Sequence, residues 1–291
     1  MGRRVLLLVN PSKPAAAKAA AEVRELVKLH GTLVGEEHAE SGLLPAEFRR
    51  ADLYVVFGGD GTLLAQSRRC AGPGNAMLGV NMGKVGFLAA FDMPAMRARA
   101  HELFGATPLP INEYNLLKVE VFGRGDEHPR FSTVALNDAV IVAGPPYRLI
   151  TLTIYLNGEA GPTIRGDGLI VSSPVGSTAY NLSAGGPAVD PSVDAMAITP
   201  IAPQSLSFRP VVVSGSARIE ITADKVNADA GGMGTTLSLD GQVQAPLKAG
   251  DRIVITRNEH GVRFVLNDAS DWWSRLISRL QWAAAPKMSS S

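Results

Sequence analysis

The sequence predicts two domains of different class: an N-terminal α/β domain with a Rossmann-like, mostly parallel sheet, followed by a β-sandwich-like domain. Three observations predict this. Continuous apolar runs alternate with helical patterns as far as Phe104, as expected of strands buried on both faces between crossover helices. The pattern changes near Pro108-Leu109-Pro110, and beyond Leu116 short runs rich in β-branched residues are separated by Gly, Pro, Asn and Asp. A chain of 291 residues also suits two cores better than one. The expected division is 1–111 for the α/β domain and 112–267 for the β domain, with a terminal helix in 268–291 returning to the first.

Val5-Leu6-Leu7-Leu8-Val9 is the first strand, Asn10-Pro11-Ser12 turns the chain, and Pro14 to His30 is an alanine-rich helix closed by Gly31. Leu53 to Phe57 is the next strand, Leu63 to Ala71 the next helix and Met77 to Asn81 a third strand. Pro94 to Phe104 is a helix with proline in its first turn. The β domain draws on Leu117–Phe122, Thr133–Leu136, Ala139–Ala143, Leu149–Leu156, Leu169–Val171, Val211–Val213, Arg218–Thr222, Thr236–Leu239, Arg252–Thr256 and Val262–Leu266. Trp273, Leu276, Ile277 and Leu280 then recur at i, i+3, i+4 and i+7 after a capping Asp271, which predicts a docking helix. Lys287 to Ser291 should fray.

Composition narrows the function. Lys and Arg number 28 against 27 Asp and Glu, a net charge of +1, which argues against binding nucleic acid or a membrane surface by charge. No apolar run approaches the ~18 residues that span a bilayer, and Met1 to Val9 reads as a strand without a cleavage site. The one cysteine, Cys70, excludes an internal disulfide. A reducing, cytoplasmic setting and a thiol packed inside a helix are expected. The five histidines are scattered without zinc-ligand spacing.

The stretch Phe57-Gly58-Gly59-Asp60-Gly61-Thr62 joins a strand to a helix N-terminus, where backbone amides and the helix dipole can cradle a phosphate. Glycines there serve either positive φ or the close approach of an anion. A carboxylate in such a cradle repels phosphate unless a metal bridges them or the acid takes a proton from an attacking group, both of which belong to phosphoryl transfer. The alternative is a turn with Asp60 as N-cap.

The densest polar run is Arg165 to Pro187, where the short strand Leu169–Val171 is flanked by glycine, hydroxyl and amide residues. Its backbone and Ser/Thr groups can read a base or amide edge, and Tyr180 offers a face for stacking; a Gly/Ser-rich surface loop is the other reading. Asn137-Asp138 is either a turn or a ligand pair suited to ribose and adenine. Asp240-Gly241 alone reads as a hairpin turn. Phe87 is by default a core residue and Lys84 a solvated one.

Together these segments resemble the NAD kinase family: Gly58-Gly59-Asp60-Gly61-Thr62, Gly86-Phe87-Leu88, Leu136-Asn137-Asp138, Gly166 to Pro187, Ser205 to Pro210 and Asp240-Gly241-Gln242. The likeness covers nearly the whole chain. Lipid kinases and phosphofructokinases carry similar glycine loops, whereas Thr178-Ala179-Tyr180-Asn181 and its surroundings are far more specific. The resemblance implies phosphoryl transfer from ATP or polyphosphate, with Mg²⁺ or another divalent metal, to the 2′-hydroxyl of the adenosine ribose of NAD. It implies Asp60 as the catalytic acid/base and Gly58, Gly59, Gly61 and Thr62 as the donor-phosphate loop. NAD contacts would come from Asp60, Gly61, Phe87, Asn137, Asp138, Arg165, Asp167, Thr178, Ala179, Tyr180 and Ser183. It further implies a homodimer or homotetramer with the site completed across subunits. Two departures stand out: Asp138 where many relatives have Glu, and Gln204 where a histidine is frequent. A lipid kinase and a non-catalytic NAD sensor are the competing functions.

Overall fold

The computed structural model describes the chain apart from Met1, Pro11, Glu40, Ser41, Leu43, Ala71, Pro73, Lys84, Val85 and residues 229–233, 268–271 and 281–291. The expected helix end at Ala71, the cap Asp271, the Lys84 side chain and the tail Lys287 to Ser291 therefore lie outside the described residues. Contacts divide the chain into two compact units: Met1–Leu63 with Gly74–Asn112 and Arg263–Ser291, and Leu64–Pro73 with Glu113–Val262.

In chain order the elements begin with β1 (Arg4–Val9), α1 (Pro14–His30), β2 (Thr32–His38), β3 (Leu53–Phe57), α2 (Asp60–Cys70), β4 (Ala76–Val80), α3 (Met93–Phe104) and β5 (Ile111–Tyr114). Next come β6 (Leu117–Phe122), β7 (Phe131–Ala135), β8 (Asp138–Val142), β9 (Ile150–Leu156), β10 (Glu159–Gly166), β11 (Gly168–Ser172) and the one-turn α4 (Tyr180–Ser183). The remainder are β12 (Ala195–Ile201), β13 (Val211–Ser214), β14 (Ile219–Lys225), β15 (Thr236–Leu239), β16 (Val243–Pro246), β17 (Arg252–Arg257), β18 (Val262–Val265) and α5 (Trp272–Leu280).

The first unit is built on a six-stranded sheet, β2-β1-β3-β4-β18-β5. β1 pairs in parallel with β2 and β3, and β4 pairs in parallel with β3 and β18. β3 and β4 are buried at every position, as their unbroken apolar sequences require. α1 covers the sheet with Ala16, Ala19, Ala20, Val23 and Val27, one face at helical spacing.

Two expectations change here. Val262–Leu266 was expected among the strands of the β domain, but β18 pairs in parallel with β4; its apolar run fits either sheet, and only long-range pairing decides. On α5, Leu276 is buried, but Trp273, Ile277 and Leu280 are 51%, 41% and 37% exposed. The buried neighbour is Arg275, whose Nη1 donates to the Phe87 carbonyl at 2.8 Å. The helix thus docks on a hydrogen-bonding face that apolar periodicity does not reveal.

The second unit contains two antiparallel sheets, β10-β9-β14-β17-β6-β7 and β13-β12-β11-β8-β15-β16. Alternate residues of both, including Val119, Val121, Leu152, Ile219 and Ile221 of one and Ala139, Ile141, Leu169, Val171, Leu237 and Leu239 of the other, form one shared core. This is the predicted sandwich. The sequence reading missed β12, whose Pro200 pairs with Leu169 inside the sheet; proline within an apolar run reads against an interior strand.

On β8 the core-facing residues are Ala139 and Ile141, so Asp138, Val140 and Val142 belong to the opposite face. The polar run after β11 is clamped over that face by Asn181, which is fully buried. Its Nδ2 donates to the carbonyls of Ser177 and Pro187 at 3.1 and 3.0 Å, and its Oδ1 accepts from Thr199 Oγ1 of β12 at 2.6 Å. Asn181→Ala strands two carbonyls and a hydroxyl in a dry interior and is expected to cost ~2–4 kcal/mol in urea unfolding. A loss below ~0.5 kcal/mol would remove the clamp from the account.

Candidate functional site

β3 ends at Phe57, and the chain enters α2 through Gly58 and Gly59 at the carboxyl end of the parallel strands, where ligands of such sheets gather. The helix starts at Asp60, three residues earlier than the sequence suggested, so Gly61 and Thr62 belong to its first turn. The Gly59 carbonyl accepts from the amides of Thr62 and Leu63 at 3.0 and 3.2 Å, which makes Gly59 the residue before the helix. The reading of Asp60 as N-cap is thereby corrected. Gly58, Gly59 and Gly61 are not left-handed, so positive φ is not their reason. Gly59 and Gly61 are exposed, and a Cβ on Gly59 would meet no atom within 4 Å.

The Asp60 side chain is instead spent on the segment after β4. Its Oδ2 accepts from the Phe87 amide at 2.7 Å, and its Oδ1 accepts from the amides of Leu88 and Ala89, both at 3.1 Å. Gly86 permits this contact, because a Cβ there would lie 2.0 Å from Oδ1. A carboxylate offers about four acceptor positions. Three are taken, and the spare one is on Oδ2. Phe87 is only half-buried, so it is not the core residue expected by default.

In the second unit, Asn137, Asp138, Ala179 and Tyr180 line one cavity of about 430 Å³, with Val140 and Val142 as apolar floor and Ser238, Asp240, Gly241 and Gln244 completing it. That volume falls within the range of small-molecule sites, ~300–1,000 Å³. Tyr180 is 45% exposed and lines the cavity. The Asn137 carbonyl accepts from the Ser173 amide at 2.8 Å, and Gly176 passes so close that a Cβ would lie 2.0 Å from the same oxygen.

Asp138 is 4% exposed, and burial first, then the charge of Asp240, pushes its carboxyl up to about 7. Burial also raises Asp240, opposed by backbone amides and by Arg68. Asp240 and Gly241 have φ of 52° and 66°, the left-handed pair of a tight hairpin turn in which the Gln242 amide donates to the Leu239 carbonyl at 2.9 Å. The turn reading was correct but incomplete, because the same aspartate accepts from the amides of Leu136, Asn137 and Asp138. Sequence reasoning missed Arg68 altogether, and it took Asp240 only as a hairpin turn within a segment of likeness, with no bracing role. A carboxylate in an Asp-Gly turn already has an explanation, and nothing in the spacing links it to an arginine 172 positions away.

Other expected residues lie elsewhere. Arg165 and Asp167 are exposed near the start of β11, whereas Asp138 pairs with Ser172 at its end. Ser183 is exposed on α4, and neither it nor Thr178 lines the cavity. Cys70 is buried with its thiol pushed up to about 12 by burial, which suits a packing role. Among the described residues no helix is long and apolar enough to cross a membrane, and no three His, Cys, Asp or Glu side chains converge as a metal site.

Two outcomes follow from this geometry. Gly86→Ala should displace the Asp60 carboxylate or its loop and cost ~1–3 kcal/mol of stability in urea unfolding. Asp138 holds a proton in the folded chain that the unfolded chain releases between about pH 4 and pH 7, so this position favours folding in acid and gives that up as pH rises through 7. Asp138→Asn should therefore stabilise the chain at pH 8 by ~1–2 kcal/mol or more and approach neutrality only below about pH 4, as read from urea midpoints at both values. A gain that shrinks as pH rises would reverse the sign.

Residues 27–105 match the ATP-NAD kinase N-terminal domain family and residues 136–266 the ATP-NAD kinase C-terminal domain family. The NAD kinase of Desulforamulus reducens is 38% identical over an alignment covering 94% of this chain and 96% of that protein. The NAD kinase of Geobacter metallireducens is 37% identical, covering 90% of each. Among solved structures, yeast NADH kinase complexed with NADH superposes with a TM-score of 0.83 at 24% identity, covering 97% of this chain and 88% of that one. An NAD kinase from Archaeoglobus fulgidus in complex with ATP gives 0.69 at 24% identity, covering 91% and 94%. The two structures share the fold; the sequence relatives and the matched domains show that the chain belongs to the NAD kinase family.

Proposed function

We propose that this chain transfers the γ-phosphoryl group of ATP to the 2′-hydroxyl of the adenosine ribose of NAD, giving NADP, with Asp60 taking the hydroxyl proton. The observation that carries the reading is the state of Asp60. A carboxylate stands at the first turn of a helix, fixed by three amides, with one acceptor position left on Oδ2. A fixed acceptor of this kind removes a proton without reorganising, and the amides of a helix N-terminus favour donor phosphates beside it.

In the proposed step the ribose O2′ forms a bond to the γ-phosphorus, the bond from that phosphorus to the β–γ bridging oxygen breaks, and the O2′ proton passes to Asp60 Oδ2. Gly58, Gly59, Gly61 and Thr62 would form the donor loop, with Gly59 and Gly61 exposed beside the helix start and the Gly58 and Thr62 amides holding the loop through the Val80 and Gly59 carbonyls. Ala179 and Tyr180 form a wall for the dinucleotide, while Asn137 and Asp138 hold adenine and ribose by complementary donors and acceptors. A divalent metal, Mg²⁺ in the first instance, would supply charge neutralisation on the phosphates. No three-ligand cluster converges among the described residues, so such a metal would be carried mainly by those phosphates, and the one acceptor position left on Asp60 Oδ2 is kept for the hydroxyl proton. Polyphosphate presents the same phosphoanhydride and is a second donor to test.

We further propose a cytoplasmic homodimer or homotetramer. Arg165, Asp167 and Ser183 are exposed and do not line the Tyr180 cavity, which suits contacts made to NAD in a neighbouring subunit. The edge strand β13 carries Val211 and Val212 about half exposed, and Leu206 before it is 87% exposed, an apolar edge that association would cover. Sedimentation of the full chain checks this, and a monomer at micromolar concentration would contradict it.

Incubation with NAD, Mg²⁺ and ATP or polyphosphate, coupled to an NADP-specific dehydrogenase, tests the reaction. Asp60→Asn should keep NAD binding by calorimetry and lower kcat by ~10²–10⁴, with part of the loss arising because an amide NH₂ meets the N–H groups of 87–89. Chelation of the metal should abolish turnover, and added Mg²⁺ should restore it. Saturable NAD binding with no NADP formed would make the chain a sensor; full activity in Asp60→Asn would remove Asp60 from the chemistry.

A further inference from the structure

We propose that Arg68 and Asp240 form a positioning pair for the acceptor site: Asp240 holds the Leu136-Asn137-Asp138 backbone in place, and Arg68 holds Asp240. This deepens the proposed reading of the Tyr180 cavity and rests on it for the identity of the ligand. Neither residue is placed on the reacting atoms.

The geometry is that of a brace. Asp240 Oδ1 accepts from the amides of Asn137 at 2.7 Å and Asp138 at 3.3 Å, and Oδ2 accepts from the Leu136 amide at 3.2 Å and from Arg68 Nη1 at 2.6 Å. The Asp240 amide in turn donates to the Asp138 carbonyl at 3.1 Å. The Asp240 side chain is fully buried and that of Arg68 is 13% exposed, so the pair is shielded from solvent and little screened. The other arm of the guanidinium, Nη2, donates to Gln242 Oε1. One planar fork thus reads both polar residues of Asp240-Gly241-Gln242, which a lysine has no second arm to do. Left-handed φ at Asp240 and Gly241 turns the carboxylate back under the strand it braces.

The brace also sets the charge seen by a ligand. Asp138 lines the cavity, is 4% exposed and forms no side-chain hydrogen bond among the described residues. The charge that bears on it is the Asp240 carboxylate from the β15–β16 turn, to which Arg68 of α2 is paired, and Tyr180 of α4 lines the same cavity. Arg68 contacts Asp240 and not Asp138, so the cation neutralises the brace and leaves the ligand-facing acid to titrate against a partly compensated neighbour. Near neutrality Asp138 then exchanges between an O–H that can donate and a carboxylate that only accepts. A ribose hydroxyl can meet either form, with different affinity.

The test uses the full chain with Asp240→Asn and Arg68→Gln, each checked for folding by circular dichroism, and Arg68→Lys as the charge-retaining variant. ¹³C carboxyl NMR of Asp138 in the ligand-free protein reads the charge arm without reference to activity. The wild-type midpoint is expected near 7. It should fall in Asp240→Asn, which removes a neighbouring negative charge, rise in Arg68→Gln, which uncovers that charge, and stay close to wild type in Arg68→Lys. Calorimetry with NAD should show Kd at least tenfold weaker for Asp240→Asn and Arg68→Gln, while KM for ATP changes by less than twofold. An unmoved Asp138 midpoint, or equal losses for NAD and ATP, would overturn the positioning pair. A misfolded Asp240→Asn leaves both Arg68 variants to decide by the same two measurements. Wild-type protein that fails to bind NAD but shows the predicted midpoints would instead overturn the ligand assignment and leave the brace standing.

Discussion

Both units depend on one interaction: a carboxylate that accepts three consecutive backbone amides from a segment far away in sequence. Asp60 holds the amides of 87, 88 and 89, and Asp240 holds those of 136, 137 and 138. Successive amides pointing one way form an anion-binding concavity, and here the anion is a side chain of the same protein. Each contact fixes a loop that no regular ladder could fix, because the amides involved lie at or beyond strand ends. Charge-assisted hydrogen bonds of this kind are stronger than neutral ones, which suits segments whose geometry must survive ligand entry.

The two carboxylates differ in what remains after the loop is held. Asp60 keeps one acceptor position on the oxygen that binds a single amide, and it stands half-buried at a helix start with exposed glycines beside it. Asp240 has no comparable freedom, since Arg68 fills its fourth position. One device therefore yields a group able to take a proton and a group able only to hold its neighbours. Asp138, next to the second, is buried without such compensation and is the carboxyl whose protonation lies near neutrality.

Much of the fold was legible because burial leaves a period in the sequence. Val5–Val9 and Leu53–Phe57 are apolar at every position and fell in the parallel sheet, and alternation in Leu117–Phe122 and Leu149–Leu156 marked half-buried strands. Val262–Val265 carried the same local signal but a different partner, and β12 was masked by its proline. At the candidate site, the residues alone left Asp60 between a turn and a phosphate cradle and Asn137-Asp138 between a turn and a ligand pair, and the family resemblance supplied their proposed roles. The brace at Asp240 could not be read, since its turn already accounted for that residue. Arg68 and Arg275 were silent for a related reason: a basic residue on an amphipathic helix reads as solvated, and only the fold shows which carboxylate or carbonyl it meets.

The most direct measurement of the central claim is acceptor chemistry followed by ³¹P NMR, with ATP, Mg²⁺ and the two deoxyribose analogues of NAD. If the phosphoryl group goes to the adenosine 2′-hydroxyl, the 3′-deoxy analogue gains a phosphomonoester resonance and the 2′-deoxy analogue gains none. A phosphomonoester on the 2′-deoxy analogue, or on neither analogue while NAD itself is consumed elsewhere in the molecule, would contradict it.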